Sequence, residues 1–421
     1  MHVLIIGGGI GGLCLAQGLV KAGIDVSVFE RNAQTGETLA GYGIHLTPRG
    51  MQAVKVCLPE TNFAQLDALA GHAGATLRFS DEHLHLLAER DEAQLTGKPL
   101  VQVERRAVDR IEFRQLLLQG LPPASSTKKG VVHWNKTFTH YEQLPDGRVR
   151  AFFTDGSQAT GDLLVGADAS NSRVRKQYLP SLERVDTGVL NIAGRYMLTP
   201  EREAALPPTL VDGSINNIVA LARQWMFVAA WHTPATEAHS SLTQKYLVWA
   251  YVAPRYAYPT NVEQLEPEQL RDLVLARTTG WHADLRTLVS EGDLATLRPI
   301  PLKSMPHLAP WTPSPVTLLG DAIHNMTPMA GAGANTALRD AQTLCQCLGE
   351  VQRGKCTLVE AVGEYEGQMR AYANQAVGLS FSNAQHAASD GPWKRSAFRT
   401  ILRLAQALPP VKRLVFPKSI V

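Results

Sequence analysis

The sequence predicts an α/β chain: a doubly wound, parallel-sheet unit interrupted by a second unit with a mixed sheet and followed by C-terminal helices. Three observations predict it. The chain opens on VLIIGGGIGGLCLAQGL, an apolar run, a glycine cluster and a helical pattern. About 300 residues later a second, largely apolar run, Val316 to Leu319, ends in Gly320-Asp321 and leads into TPMAGAGANTALRDA. The stretch between them is rich in Val, Trp and Tyr with strand alternation, unlike either end.

The first motif carries most of its meaning in position. Val3 to Ile6 reads as a buried parallel strand. Gly7, Gly9 and Gly12 then give G-x-G-x-x-G: the first for a tight turn, the second for close approach of the backbone to a pyrophosphate, the third for packing of the next helix on the strand. That helix, Leu13 to Val20, turns its N-terminal amides toward the phosphates. A second strand, Asp25 to Phe29, ends at Glu30, about 20 residues on, where a carboxylate can accept bonds from a ribose hydroxyl. Arg31 beside it is a further candidate contact to the dinucleotide. A glycine-rich turn alone would be weak; flanked by strand, helix and acid-terminated strand, it points to dinucleotide binding.

At 421 residues the chain is long for one core, and two domains are the natural expectation. A net charge of +3 gives no argument for nucleic acid. From Gly391 to Val421 there are seven Lys or Arg and no acid, interleaved with Trp393, Phe398, Ile401, Leu402 and Leu404. Such a helix can make weak peripheral contact with a membrane, but packing on the protein body with its charges solvated is the favoured reading. No run of 18 apolar residues occurs, and a strand at residue 3 leaves no room for a signal peptide. Five scattered cysteines form neither a disulfide framework nor a zinc site, so a reducing, cytoplasmic setting and no metal are expected. A monomer or homodimer fits equally.

Along the chain, Thr76 to Phe79 and His85 to Ala88 read as a hairpin, Val108 to Gly120 as a helix, and Val131 to Phe138, Val149 to Thr154 and Asp162 to Gly166 as strands. In the middle, Val189 to Leu198, Ile218 to Ala222, Met226 to Trp231 and Tyr246 to Val252 read as strands, and Glu268 to Thr278 and Asp284 to Ser290 as helices. The expected division is 1–72, 98–180 and 298–350 for the interrupted unit, 73–97 and 181–297 for the inserted one, and 351–421 for C-terminal helices.

These motifs together resemble the group A, FAD-dependent aromatic hydroxylases, flavoprotein monooxygenases of the para-hydroxybenzoate hydroxylase fold (GR2 type). Besides GGGIGG with Glu30, GADASNSRVR resembles the family's D-G-x-x-S-x-x-R at Asp168, Ser172 and Arg175, with Ala169 in place of the usual glycine. Gly320, Asp321, His324, Pro328, Gly331, Gly333 and Asn335 match G-D-x-x-H-x-x-x-P-x-x-G-x-G-x-N. The resemblance implies FAD held by Glu30 at the adenosine ribose, by Asp321 at the ribityl chain, and by amides around Gly333, Ala334 and Asn335 under the pyrimidine end of the ring. It also implies contacts from Gly43 in the loop Gly36 to Gly43, from Arg110 near the phosphates, and from Asp168. Elementary electrostatics agrees at one point: a helix N-terminus offers unpaired N–H groups and partial positive charge to a reduced, anionic flavin.

The implied reaction is monooxygenation: NADPH or NADH reduces FAD, O2 adds at flavin C4a, and the hydroperoxide transfers one oxygen atom in hydroxylation or epoxidation. The adduct must be kept dry, and Pro328 with Met329 is a candidate apolar wall. The inserted sheet, with Arg195, Tyr196, Arg223, Phe227, Trp231, His232, Trp249 and Tyr251, is expected to hold an aromatic, polyketide-like or terpenoid substrate. Arg195 is a candidate partner for a phenolate or carboxylate, His232 for phenol ionisation, and His45 for the flavin edge. A same-fold flavin reductase of isoprenoid type, or an FAD-binding protein without turnover, are the alternatives; a halogenase is disfavoured because its W-x-W-x-I-P segment is absent.

Overall fold

The computed structural model describes residues 1–34, 43–122, 130–231, 245–389 and 391–416. The loop Gly36 to Gly43 (all but its last residue) and His232 lie outside them.

Val3, Leu4 and Ile5 have no exposed surface because their strand, His2–Ile6, is central in a parallel sheet. The order is Val316–Leu318, Leu163–Gly166, His2–Ile6, Asp25–Phe29, Val132–His133. The strand that arrives last in sequence therefore sits beside Leu163–Gly166, as an interrupted fold requires. Helices Ile10–Lys21 and Gly333–Gln352 pack together on this sheet, and a small antiparallel sheet, Phe138–Gln143, Val149–Phe153 and Gln158–Gly161, contributes Tyr141, Val149, Ala151 and Phe153 to the same core.

The inserted sheet is mixed. Its order is Asp293–Ser304, Val185–Met197, Tyr246–Pro254, Trp225–Trp231, Ile215–Val219, Thr76–Ser80, Leu86–Asp91, and the one parallel pairing joins Ile215–Val219 to Thr76–Ser80. Alternation divides its faces. Leu190, Ile192, Tyr196, Met226, Val228, Leu247, Trp249 and Tyr251 form one core with helices Pro267–Arg277 and Ala283–Ser290. Asn191, Ala193, Arg195, Phe227, Ala229, Trp231, Tyr246 and Val248 occupy the opposite face.

Three elements differ from expectation. Asp293–Ser304 is a twelve-residue strand of the inserted sheet, so the sheet runs past the expected boundary at 298. Pro299 and Pro301 hide it in sequence; an edge strand tolerates them. The expected strand Val131 to Phe138 is two: Asn135 takes φ +60° and turns the chain from Val132–His133 into Phe138–Gln143. Ile218 to Ala222 begins three residues earlier, at Ile215, because Leu221 to Gln224 make the turn.

The helix Leu358–Ser389, 32 residues and about 48 Å long, joins the units. Tyr365 Oη donates to Leu318 O at 2.9 Å near its start, Asn383 Nδ2 to Met329 O at 3.2 Å, and Gln385 Nε2 to Thr187 O at 2.7 Å near its end. Among the described residues no helix is long and apolar enough to cross a membrane. Glu366 on this helix is fully buried behind the edge strand, accepting from Thr317 Oγ1 at 2.8 Å, and burial raises its pKa from 4.5 to about 7.

A carboxyl whose folded pKa is raised binds its proton in the native state between about pH 4.5 and about pH 7, so its charge erodes stability as pH rises through that window. Glu366→Gln should therefore raise the melting temperature at pH 8, by a free energy of up to ~3 kcal/mol. The gain should vanish below about pH 4.5. Melting curves of both proteins from pH 4 to 8 check it; a pH-independent difference would assign Glu366 no buried charge.

Candidate active site

The glycine loop is held by side chains that are themselves fixed. Gly7 takes φ +116°, and an added Cβ there would lie 2.3 Å from Ala167 O. A Cβ on Gly12 would lie 2.2 Å from Gly7 O, whereas nothing stands within 4 Å of that position on Gly9. The loop thus closes behind Gly7 and Gly12 and opens in front of Gly9. Glu30 is buried, and both its oxygens accept backbone N–H groups at 2.8 Å, Oε2 from Gly8 and Oε1 from Asn32. Arg31 is exposed.

Arg110 is exposed on the first turn of the helix Arg110–Leu118. The side chain that reaches the glycine loop is Arg114, one turn on: its Nε donates to Gly8 O at 2.8 Å, and its guanidinium lies 5.2 Å from the Trp134 ring centre. Sequence reasoning missed Arg114; the signal was an arginine at the inward positions of an amphipathic helix with Phe113 and Leu117.

The GADASNSRVR segment is a capping unit for the helix Arg173–Tyr178. Asp168 Oδ2 accepts the N–H groups of Arg173 (2.7 Å) and Val174 (3.3 Å), and Ser172 Oγ accepts that of Arg175 (2.8 Å). Arg175 then donates from Nη1 to Ala322 O at 2.7 Å, tying this segment to the Gly320-Asp321 turn. Asp168 Oδ1 is buried with no partner among the described residues, and burial raises the carboxyl pKa. Ala169 takes φ +64°, the left-handed region the usual glycine would occupy freely.

The third motif is organised by Asp340. Its Oδ2 accepts Gly320 N–H at 2.8 Å and faces His324 Nε2 at 2.6 Å, and its Oδ1 accepts Tyr372 Oη at 2.7 Å. Asp340 and His324 are both fully buried. Burial opposes a charge on His324, but the Asp340 carboxylate outweighs it and raises the imidazole pKa. Asp321 stays exposed at the start of Asp321–His324, making no capping bond of its own. Pro328 is exposed at the head of a turn closed by Gly331 at φ +61°, and Gly333, Ala334 and Asn335 form the first turn of Gly333–Gln352. Asp340 also escaped the sequence reading, although an acid four residues from Thr336 and Leu344 lies on that helix's buried face.

Asn335 fastens this turn to the strand Ile44–Leu46. Its Oδ1 accepts Thr47 N–H at 2.8 Å and its Nδ2 donates to His45 O at 2.9 Å. From there an aromatic stack climbs to the inserted sheet. The His45 and Trp231 rings lie 4.3 Å apart and 3° from parallel, Trp231 and Tyr246 lie 6.0 Å apart, and the Arg195 guanidinium sits 4.6 Å over Tyr246. Tyr246 Oη accepts Gly43 N–H at 2.9 Å, and a Cβ on Gly43 would meet Trp231 at 2.0 Å. Burial, aided by the Arg105 charge, lowers the His45 pKa to about 3. Tyr196, Trp249 and Tyr251 point into the helix-packed core instead, and Arg223 is exposed beside Tyr256, so these four expected substrate residues are not on the face with Phe227 and Trp231. The structure adds Tyr246 to that face.

Residues 1–380 match the model of the FAD binding domain family. The chain belongs to this family, the FAD-dependent aromatic hydroxylases that its motifs resemble. It is 46% identical to a solved candidate FAD-containing monooxygenase of Photorhabdus luminescens, covering 92% of this chain and 98% of that one with a TM-score of 0.83. It is 32% identical to a dual O-methyltransferase/FAD-dependent monooxygenase of Cercospora beticola over 89% of this chain, and spans 45% of that relative's length. It is 26% identical to salicylate hydroxylase of Pseudomonas putida, over 89% of this chain and 82% of that protein.

The geometry fits the family's FAD. The helices Ile10–Lys21 and Gly333–Gln352, the two that follow the glycine motifs, begin at Gly9 and Ala332 with no side-chain cap. Their first-turn amides are left for a ligand. Nothing stands within 4 Å of a Cβ on Gly331, and the nearest atoms to one on Gly333 are Asp321 Oδ1 and Met326 Cγ at 3.9 Å.

Ala169→Gly should stabilise the protein by ~1 kcal/mol by removing the left-handed strain, read as a rise in the denaturation midpoint; no change would mean the turn relaxes around alanine. Asp321→Ala should weaken FAD ten- to a hundred-fold, for a charged hydrogen bond worth ~1.5–3 kcal/mol, while leaving the melting temperature of the apoprotein unchanged. Asp340→Ala should lower that temperature as well, at a cost of ~3–5 kcal/mol for orphaned buried partners. FAD titration and apoprotein melting separate the two, and equal melting losses would refute the distinction.

Proposed function

We propose that the chain is an FAD-dependent, NAD(P)H-consuming monooxygenase that inserts one oxygen atom of O2 into an aromatic, polyketide-like or terpenoid small molecule. One observation carries the reading. The loop from Pro328 to Asn335, which fits the reactive end of FAD, is fastened by Asn335 to the strand whose His45 stacks on Trp231 of the inserted sheet. A ring-binding loop and an aromatic sheet face therefore meet in one place. The names of the relatives agree: salicylate hydroxylase and FAD-dependent urate hydroxylase are named for flat, conjugated substrates. The five cysteines are free thiols, which suits a reducing cytoplasm.

A bound FAD, held at Gly9, Asp321 and the amides of Gly333 to Asn335, would supply hydride acceptance from NADH or NADPH and activation of O2. The residues bind, orient and exclude water. The uncapped amides of Gly333, Ala334 and Asn335 supply positive potential to a reduced ring. Glu30, by holding the Gly8 and Asn32 amides, fixes the loop against the adenosine half, while Gly9 leaves room for the phosphates. Arg195 places a fixed cation above Tyr246, suited to a phenolate or carboxylate. With its pKa near 3, His45 is neutral at pH 7, so it serves as a hydrogen-bonding group and not as an acid. Pro328 and Met329 wall the loop, and Met329 packs on the apolar cluster with Trp225 and Val252.

Gly331→Val tests the shielding role. Valine at φ +61° is strained by ~1–2 kcal/mol and displaces the loop. Hydride transfer should persist, and the share of NAD(P)H electrons recovered as hydrogen peroxide should rise several-fold with substrate present. Simultaneous oxygen-electrode, NAD(P)H and peroxide assays measure it. Equal substrate conversion by the wild type without O2 would overturn the monooxygenase reading in favour of a reductase.

A further inference from the structure

The helix Pro392–Ala407 has two apolar faces, and only one is used. Phe398, Leu402 and Ala405 face inward with Arg395 and Arg399 and join the cluster containing Leu87, Val219, Trp225 and Val252. Arg399 donates to Val219 O and pairs with Glu82, Arg395 donates to Ala387 O at 3.0 Å, and Glu89 N–H donates to Gln406 Oε1 at 2.9 Å. These bonds fix the rotation of the helix. The opposite face then carries Trp393, Ala397, Ile401, Leu404 and Leu408, spaced four, four, three and four residues apart and all exposed. Trp393 is 90% exposed, and Leu414 on the following helix, Pro409–Val415, is 83% exposed, the two highest values among the exposed large hydrophobic residues.

Charge selects what covers this face. Lys394 and Arg403 flank the stripe, and Arg413 adjoins Leu414; all three are exposed, and the segment from Gly391 to Phe416 contains no Asp or Glu. A second copy of the chain would bring the same cations against these, which like-charge repulsion opposes. An anionic lipid surface offers apolar depth for Trp393, Ile401, Leu404 and Leu414 and negative charge for the flanking bases. We propose that this face is a membrane-docking surface: the helix Pro392–Ala407 lies in the plane of an anionic bilayer with Trp393 and Leu414 inserted. Since no described helix is long and apolar enough to span, the attachment is peripheral and reversible.

Vesicle co-sedimentation of the FAD-loaded protein tests this, with phosphatidylcholine vesicles and vesicles mixed from phosphatidylcholine and phosphatidylglycerol. Binding to the mixed vesicles should exceed binding to the neutral ones at least tenfold, and should fall as salt shortens the Debye length below about 8 Å. Tryptophan emission should shift to the blue on binding, and Trp393→Phe should abolish the shift while retaining the binding. The triple variant Trp393→Ser/Leu404→Ser/Leu414→Ser should lose binding at least tenfold, as should Lys394→Ser/Arg403→Ser/Arg413→Ser. Both triple variants alter only exposed side chains, so unchanged melting temperature and FAD content establish that they are folded. No binding to mixed vesicles, equal binding to neutral vesicles, or undiminished binding by folded variants would overturn the proposal. So would a dimer, seen by light scattering, that the serine variants dissolve, since it would assign the face to a second copy.

Discussion

One buried carboxylate holds the cofactor-facing end of this chain together. Asp340 receives the Gly320 amide, His324 Nε2 and the Tyr372 hydroxyl, drawn from the turn after the last parallel strand, the short helix Asp321–His324 and the long helix Leu358–Ser389. A carboxylate without exposed surface is tolerable only when donors meet it, and here three do. The position of Asp321 follows from this arrangement, because the Gly320 amide that Asp340 anchors immediately precedes it. Arg175 adds a bond from the other side, to Ala322 O. The exposed Asp321 is thereby placed by a buried aspartate.

The same economy joins the two sheets. Asn335 commits its side chain to Thr47 and His45, while its backbone amide lies in the uncapped first turn. His45 then carries the constraint across by stacking on Trp231, and Tyr246 returns it to Gly43. Each of these side chains is anchored at one end and touches an aromatic plane or an amide at the other. Substrate orientation needs that precision, because a misplacement of about 1 Å can cost on the order of a hundred-fold in rate.

Much of the first unit was legible because its rules are local. An apolar run, a G-x-G-x-x-G and an acid at a strand end determine one another's meaning within about 30 residues. Val316–Leu318 was legible for a similar reason, being β-branched or apolar at each position in a strand with no exposed surface. What was not legible depended on partners distant in sequence. Pro299 and Pro301 look like strand breakers until the strand is known to be an edge. Tyr196, Trp249 and Tyr251 look like pocket residues until the register of Val185–Met197 against Tyr246–Pro254 assigns them to the helix-packed face. A shift of one residue would reverse that assignment, so composition alone could not make it. Arg114 and Asp340 needed helix phase, which their sequences contain, together with a reason to look for charge on a buried stripe.

Local rules are broken at the glycine motifs as well as at several places away from them. Thr47, Asp91, Asp109, Ser172 and Thr199 cap their helices, whereas Gly9 and Ala332 cap nothing, as is also true of Pro59, Pro99, Pro207, Gly391 and Leu408 at helices away from the glycine motifs. Asp168 Oδ1 and His45 Nε2 are buried without partners among the described residues, and Ala169 holds a left-handed turn next to Asp168. Each departure costs stability taken alone. A ligand with a pyrophosphate, a ribityl chain and a polar ring edge would repay the uncapped amides. It would not relieve Ala169, whose strain is in its own backbone, and so alanine at that position is a cost the fold bears without help from the cofactor.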